Sequence, residues 1–120
     1  MTIIGWGAQI SVNLRVARAL QKEGITAEII DLKTILPWDK NKVLASCKKT
    51  GRVIIAHEAP KTSGFGAELA SGIQEKCFTY LKAPIKRCTG WDTHFPSAFE
   101  SFYLPNDERL LKDARQLIKY

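Results

Sequence analysis

The stretch Arg52-Val53-Ile54-Ile55-Ala56-His57 holds an unbroken apolar run between two polar residues. A run this short, rich in β-branched residues and without alternation, reads as a strand buried on both faces, as in a parallel sheet. The segments around it repeat one logic. Upstream, Asp39 is placed to cap a helix running to Thr50, with Gly51 as its terminator. Before that, Ala27–Leu32 reads as a strand, and Ile10–Glu23 as a helix stopped by Gly24. On that helix Ile10, Leu14 and Ala17 share a face at helical spacing, with Val16 and Leu20 beside it. Thr2–Gly7 reads as a buried strand ending in a glycine turn. Downstream, a glycine-bearing loop leads to a helix from about Gly66 to Leu81, where Leu69, Ile73, Cys77 and Leu81 recur every four residues. Pro84 resets the chain for a strand over Ile85–Thr89. Gly90–Pro105 looks irregular. A last helix from about Asp107 to Lys119 turns Leu110, Leu111, Ala114, Leu117 and Ile118 to one side. This β-α-β-α-β-α-β-α order predicts an α/β domain of three layers, with a parallel sheet of four strands in the order 2-1-3-4.

Composition bounds the function. The chain has 120 residues, 45% hydrophobic and 25% charged, which suits one globular domain with a real core. No internal repeat, low-complexity stretch or linker divides residues 1–120. No apolar run approaches the roughly 18 residues that a membrane helix needs. The start, Met1-Thr2-Ile3-Ile4-Gly5-Trp6-Gly7, enters an apolar run at once and lacks signal-peptide and transit-peptide features. A fragment of a longer chain is the expectation from that start. The net charge is +6, but the lysines are scattered among acidic residues and no nucleic-acid motif occurs. An acidic partner surface, or plain solvation, accounts for the excess. Cys47, Cys77 and Cys88 are odd in number and widely spaced, which argues for buried thiols rather than a disulfide framework or zinc.

In open α/β sheets function gathers at the carboxyl ends of the strands. Four segments fall there: Gly5-Trp6-Gly7, Thr34–Asp39, His57–Gly66 and Gly90–Pro96. Gly5-Trp6-Gly7 could cradle a phosphate, but it lacks the third glycine of a dinucleotide fingerprint and the ending of a P-loop, so a tight turn is the simpler reading. A nucleotide- or flavin-binding module stays open as an alternative. His57 and Glu58 could do acid–base chemistry, yet neighbours in an extended segment point to opposite sides. With Pro60 they read as structural or interface residues. Gly64 and Gly66 would allow a neighbour to approach the backbone closely, and Glu68 suits a helix N-terminus. No Gly-x-Ser-x-Gly elbow appears. The stretch from Gly90 to Pro105 holds five aromatics, Trp91, Phe95, Phe99, Phe102 and Tyr103. It reads either as a cover over the sheet or as an exposed interface, and the interface is preferred.

The residues also carry a resemblance. Ile30–Asp39, Lys49-Thr50-Gly51-Arg52, His57-Glu58-Ala59-Pro60, Gly90-Trp91-Asp92-Thr93 with Phe95-Pro96, and Phe99-Glu100 with Phe102–Pro105 spread in order over nearly the whole chain. Together they resemble the C-terminal domain of the beta subunit of branched-chain 2-oxoacid dehydrogenases. The pyruvate dehydrogenase beta subunit is a near relative that looks less similar at His57–Pro60 and Phe99–Pro105. His94 departs from the family pattern, which has proline there. The resemblance implies a transketolase C-terminal-like fold, with an extra antiparallel strand upstream of the first strand here and hence a sheet edge that is exposed or differently covered. It implies oxidative decarboxylation of branched 2-oxoacids, with acyl transfer to a lipoyl group. Thiamine diphosphate and magnesium would sit elsewhere in the full enzyme, so no catalytic residue is assigned to this chain. The implied partners are an alpha subunit and a second beta subunit, in a two-plus-two heterotetramer, and a lipoyl acyltransferase core. The residues read above as interface, His57, Glu58, Pro60, Trp91, Phe95, Phe99, Phe102 and Tyr103, are the candidate docking residues, and analogy with related complexes adds Tyr120 through its carboxylate. The implied location is the mitochondrial matrix in a eukaryote or the cytoplasm in a bacterium.

Overall fold

In the computed structural model, which describes residues 1–120, the apolar runs become four strands. These are β1 (Thr2–Gly5), β2 (Glu28–Asp31), β3 (Val53–Pro60) and β4 (Lys86–Gly90). All neighbours pair in parallel, in the expected order β2-β1-β3-β4. Thr2 lies opposite Glu28 on one side and Val53 on the other, so the inner strands start level. β2 and β4 form the two edges.

Five helices connect and cover the strands: α1 (Gln9–Lys22), α2 (Lys40–Thr50), α3 (Phe65–Cys77), α4 (Glu100–Tyr103) and α5 (Asp107–Ile118). A strand sends successive side chains to opposite faces. Ile3, Ile54 and Ala56 therefore pack with Val16, Leu20, Leu110 and Leu117 of α1 and α5. Ile4, Val53 and Ile55 pack with Val43, Leu69 and Ile73 of α2 and α3. Two cores on either side of one sheet make three layers. They also explain why β3 reads as apolar without alternation: both of its faces are covered.

The helix ends follow local chemistry. Asp39 accepts a hydrogen bond from the Lys42 N–H at 3.0 Å and caps α2. Gly51 ends that helix with φ 68° and donates to the Cys47 carbonyl at 2.8 Å. Gly24, at φ 77°, donates to Gln21, while Ile25 donates to Leu20. These positive φ values are open to glycine and strained for most other residues. Asn106 caps α5 through the Arg109 N–H at 3.0 Å.

Two expectations need correction. The buried stripe of α1 is Gln9, Asn13, Val16 and Leu20, whereas Leu14 is 43% exposed. The sequence pattern pointed elsewhere because two members of the real stripe are polar. Asn13 lies against the sheet, with its side-chain nitrogen 2.5 Å from where a Cβ on Gly5 would stand. The second correction concerns the stretch expected to be irregular. It holds a 3-10 turn at Ser97–Phe99 and the short helix α4. The other elements shift by a few residues: β3 runs on to Pro60, and α3 gives way to a 3-10 turn at Phe78–Tyr80.

The three thiols are free and buried. Burial pushes Cys47 and Cys88 up to about 12, which holds them as neutral thiols at physiological pH. No helix is long and apolar enough to cross a membrane.

Candidate docking site at the carboxyl end of the sheet

The pairing of β3 with β4 breaks at the carboxyl end of the sheet. His57 pairs with Thr89, but the next pair is Pro60 with Gly90. β3 thus takes three steps where β4 takes one, and Glu58 and Ala59 bulge outward, both exposed. His57 and Glu58 fall on opposite sides. The His57 ring turns into the α3 layer, where it is 1% exposed. It stacks on Trp6 with centroids 5.2 Å apart and planes at 14°. Phe65 meets the same Trp6 edge-on at 5.9 Å. On its other side the ring lies against the backbone of Gly64 and Gly66, where any Cβ would collide with it. Neither ring nitrogen makes a hydrogen bond. Burial holds the His57 pKa below the ordinary imidazole value, and the Arg87 charge adds to this. Burial thus favours the neutral imidazole, which packs against Trp6 and the two glycines.

Glu58 faces the other way, into a cleft of about 530 Å³ at the start of α1, shared with Gln9, Arg15, Asp107 and Glu108. Arg15 is held there by Asp107 through two hydrogen bonds of 2.8 Å. That leaves Glu58 and Glu108 as the unneutralised charges, so the cleft repels a phosphate rather than cradling one. The Gly5-Trp6-Gly7 segment is a tight turn, with Gly7 at φ 60°. No group of three or more His, Cys, Asp or Glu side chains is arranged to hold a metal ion. The charges lining this cleft therefore do not suit a bare diphosphate.

The aromatic segment forms an ordered platform. Trp91 (54% exposed), Phe95 (53%), Phe99 (61%) and Phe102 (73%) face outward. Phe99 and Phe102 lie 6.3 Å apart. Their setting is fixed from beneath. Arg109 donates to the carbonyls of Tyr103 at 3.1 Å and Thr89 at 2.6 Å, and its guanidinium lies 4.1 Å over the Trp91 ring. The Trp91 indole N–H donates to the Phe102 carbonyl at 2.9 Å. Asp92 accepts from the Thr62 N–H at 2.7 Å and its hydroxyl at 2.8 Å, tying the loop after β3 to the loop after β4. Those bonds hold the Asp92 carboxyl below the usual carboxylate range.

The expected docking residues thus separate. Trp91, Phe95, Phe99 and Phe102 are exposed, with the Phe99 and Phe102 rings adjacent. Tyr103 differs from the expectation: it is 5% exposed and meets Phe95 edge-on at 5.1 Å. Its ring fills the space over Gly90, where a Cβ would stand 2.7 Å from it. It supports the platform instead of forming its surface. His57 is likewise internal, and Pro60 is half-buried in the bulge. Tyr120 is exposed, but it lies by Pro84 and Ile85 near the start of β4, at the opposite pole from the platform. Sequence reasoning missed Arg109, the organiser of the platform. Its partners are 6, 18 and 20 residues away, beyond any local pattern. Ile35 and Leu36, within the Thr34–Asp39 segment expected at this end of the sheet, are exposed apolar residues in the loop after β2.

A parallel three-layer domain with strand order 2-1-3-4 defines the class: the chain belongs to the transketolase C-terminal domain family, which matches residues 1–110. Particular relatives narrow this. The chain is 52% identical over 121 residues to 2-oxoisovalerate dehydrogenase subunit beta, mitochondrial, of Dictyostelium discoideum, covering 100% of this chain and 33% of that protein. It is 48% identical over 120 residues to 2-oxoisovalerate dehydrogenase subunit beta 2, mitochondrial, of Arabidopsis thaliana, covering 100% of this chain and 34% of that protein. Similarity to the pyruvate dehydrogenase E1 component subunit beta of Leifsonia xyli subsp. xyli is lower, 41% over 120 residues, covering 99% of this chain and 36% of that one. The chain thus spans about a third of the length of the curated relatives it matches. A solved split-gene transketolase, an inactive beta4 tetramer, superposes with a TM-score of 0.79 at 24% identity, covering 98% of this chain and 38% of that one. That likeness supports the fold alone.

Proposed function

We propose that this chain is the C-terminal assembly and partner-docking domain of the beta subunit of a thiamine diphosphate-dependent branched-chain 2-oxoacid dehydrogenase. The observation that carries this reading is the identity of 48–52% along the whole chain to two 2-oxoisovalerate dehydrogenase beta subunits. The pyruvate enzyme is the weaker reading, at 41%. The substrate of the full enzyme would be a branched 2-oxoacid such as 3-methyl-2-oxobutanoate, with the acyl group passed to a lipoyl carrier. This chain's part is structural. Four exposed aromatics on a hydrogen-bonded platform have the character of an interface core, where aromatic side chains carry much of the binding energy. The partners proposed are an alpha subunit, a second beta subunit and the acyltransferase core. The location proposed is the mitochondrial matrix in a eukaryote and the cytoplasm in a bacterium.

Isothermal titration calorimetry of the 120-residue chain with thiamine diphosphate and magnesium tests the reading. No heat of binding is expected at micromolar to millimolar cofactor, and no decarboxylation of 3-methyl-2-oxobutanoate. Micromolar affinity would overturn it. A thermal-shift panel of nucleotides and flavins tests the alternative of a nucleotide module, and no shift is expected.

A further inference from the structure

The molecule carries a second surface on the edge of the sheet away from β2. Along β4 a cleft of about 590 Å³ is lined by Lys61 from the loop after β3, by Lys86 and Arg87 of β4, and by Arg109 and Lys112 of α5. Its carboxylates, Asp92 and Asp113, are already engaged. Asp92 binds Thr62 through both oxygens, and Asp113 pairs with Lys86 at 3.1 Å. Lys61, Arg87, Arg109 and Lys112 belong to none of the ion pairs in the molecule. Two of these cations are held in place by neutral backbone. Arg87 donates to the Lys61 carbonyl at 2.9 Å, and Arg109 to the Thr89 carbonyl at 2.6 Å. Lys61 and Lys112 flank them, both exposed. Four cations outside any ion pair therefore converge from three separate segments, and of the two wall carboxylates only Asp92, which lies near Lys61, is not paired to a cation.

We propose that this cleft docks an acidic, extended peptide segment of a partner protein. Guanidiniums whose geometry is already set bind carboxylates and phosphates alike with directed, charge-assisted hydrogen bonds. Two further features favour a peptide. The spare acceptor capacity of Asp92 and Asp113 can receive peptide N–H groups, which a phosphodiester lacks. Trp91, at one end of the cleft, offers an aromatic surface to an apolar side chain. A nucleic-acid strand would need a longer basic stripe. The inference stands on the cleft alone and does not depend on the identity of the full enzyme.

The test is fluorescence anisotropy of a fluorescein-labelled hexapeptide of alternating Asp and Leu, titrated with the chain at about 50 mM salt, where surface charge is weakly screened. Saturable binding is expected. Replacing Lys61, Arg87 and Lys112 together by Gln should weaken it by about tenfold or more. Replacing Arg18, Lys22 and Lys42, three exposed cations elsewhere, should leave it unchanged. Circular dichroism of both triple variants checks that the fold is kept, and Lys112→Gln alone supplies a milder variant if the first triple unfolds. Absence of binding, equal weakening in both triples, or tighter binding of a labelled oligothymidine would overturn the proposal.

Discussion

Gly66 stands where an added Cβ would fall on the His57 ring. In an open helix, replacing glycine by alanine gains up to about 1 kcal/mol. Here the collision reverses the sign, and Gly66→Ala should destabilise the chain by about 1–3 kcal/mol in urea unfolding. His57 itself gives a pH signature. Its folded pKa is depressed by burial, so the unfolded chain takes up the proton first. The associated stability is present above the ordinary imidazole value of about 6.5 and is lost as pH falls below it, until the folded ring also protonates. Unfolding free energies measured from pH 7.5 to 5.5 should therefore fall, and the fall should shrink in His57→Gln. An unchanged slope would mean the ring is not buried as described. Much of this was legible at the level of single residues. The opposed directions of His57 and Glu58 follow from strand period, and the glycines announced a close neighbour. The identity of that neighbour was not legible, because His57 and Gly66 meet only once β3 and α3 are packed.

Among the elements, the segment from Trp91 to Tyr103 shows how two adjacent aromatics take opposite roles. Phe102 is exposed and Tyr103 is buried over Gly90. Tyr103→Ala should cost about 3–5 kcal/mol in urea unfolding. Phe102→Ala should stay within about 0.5 kcal/mol of the parent. Equal effects would contradict the orientation of α4. The sequence offered no periodicity to separate the two, since α4 has only four residues. The long helices behaved differently. The stripe Leu69, Ile73 and Cys77 of α3 and the stripe Leu110, Ala114 and Leu117 of α5 are buried where the apolar spacing placed them. α1 failed that test because Gln9 and Asn13 occupy core-facing positions beside the carboxyl end of β1. A rule that places apolar residues inside cannot find a stripe whose upper half is polar.

At the scale of the whole molecule, strand order and layers followed from the alternation of apolar runs and helices. The surfaces did not, because they depend on which loops meet. The carboxyl end of the sheet gathers exposed aromatics held by Arg109, while free cations line the β4 edge. One fold thus presents an apolar face suited to a stable subunit contact and a basic cleft suited to a weaker one. The account stands or falls on the first of these. Its most direct test is sedimentation velocity of the proposed full beta subunit, co-expressed with the proposed alpha subunit, with and without Phe99→Ala and Phe102→Ala. The prediction is loss of the two-plus-two species in the double variant, with the domain's melting temperature unchanged. An intact two-plus-two species would contradict it.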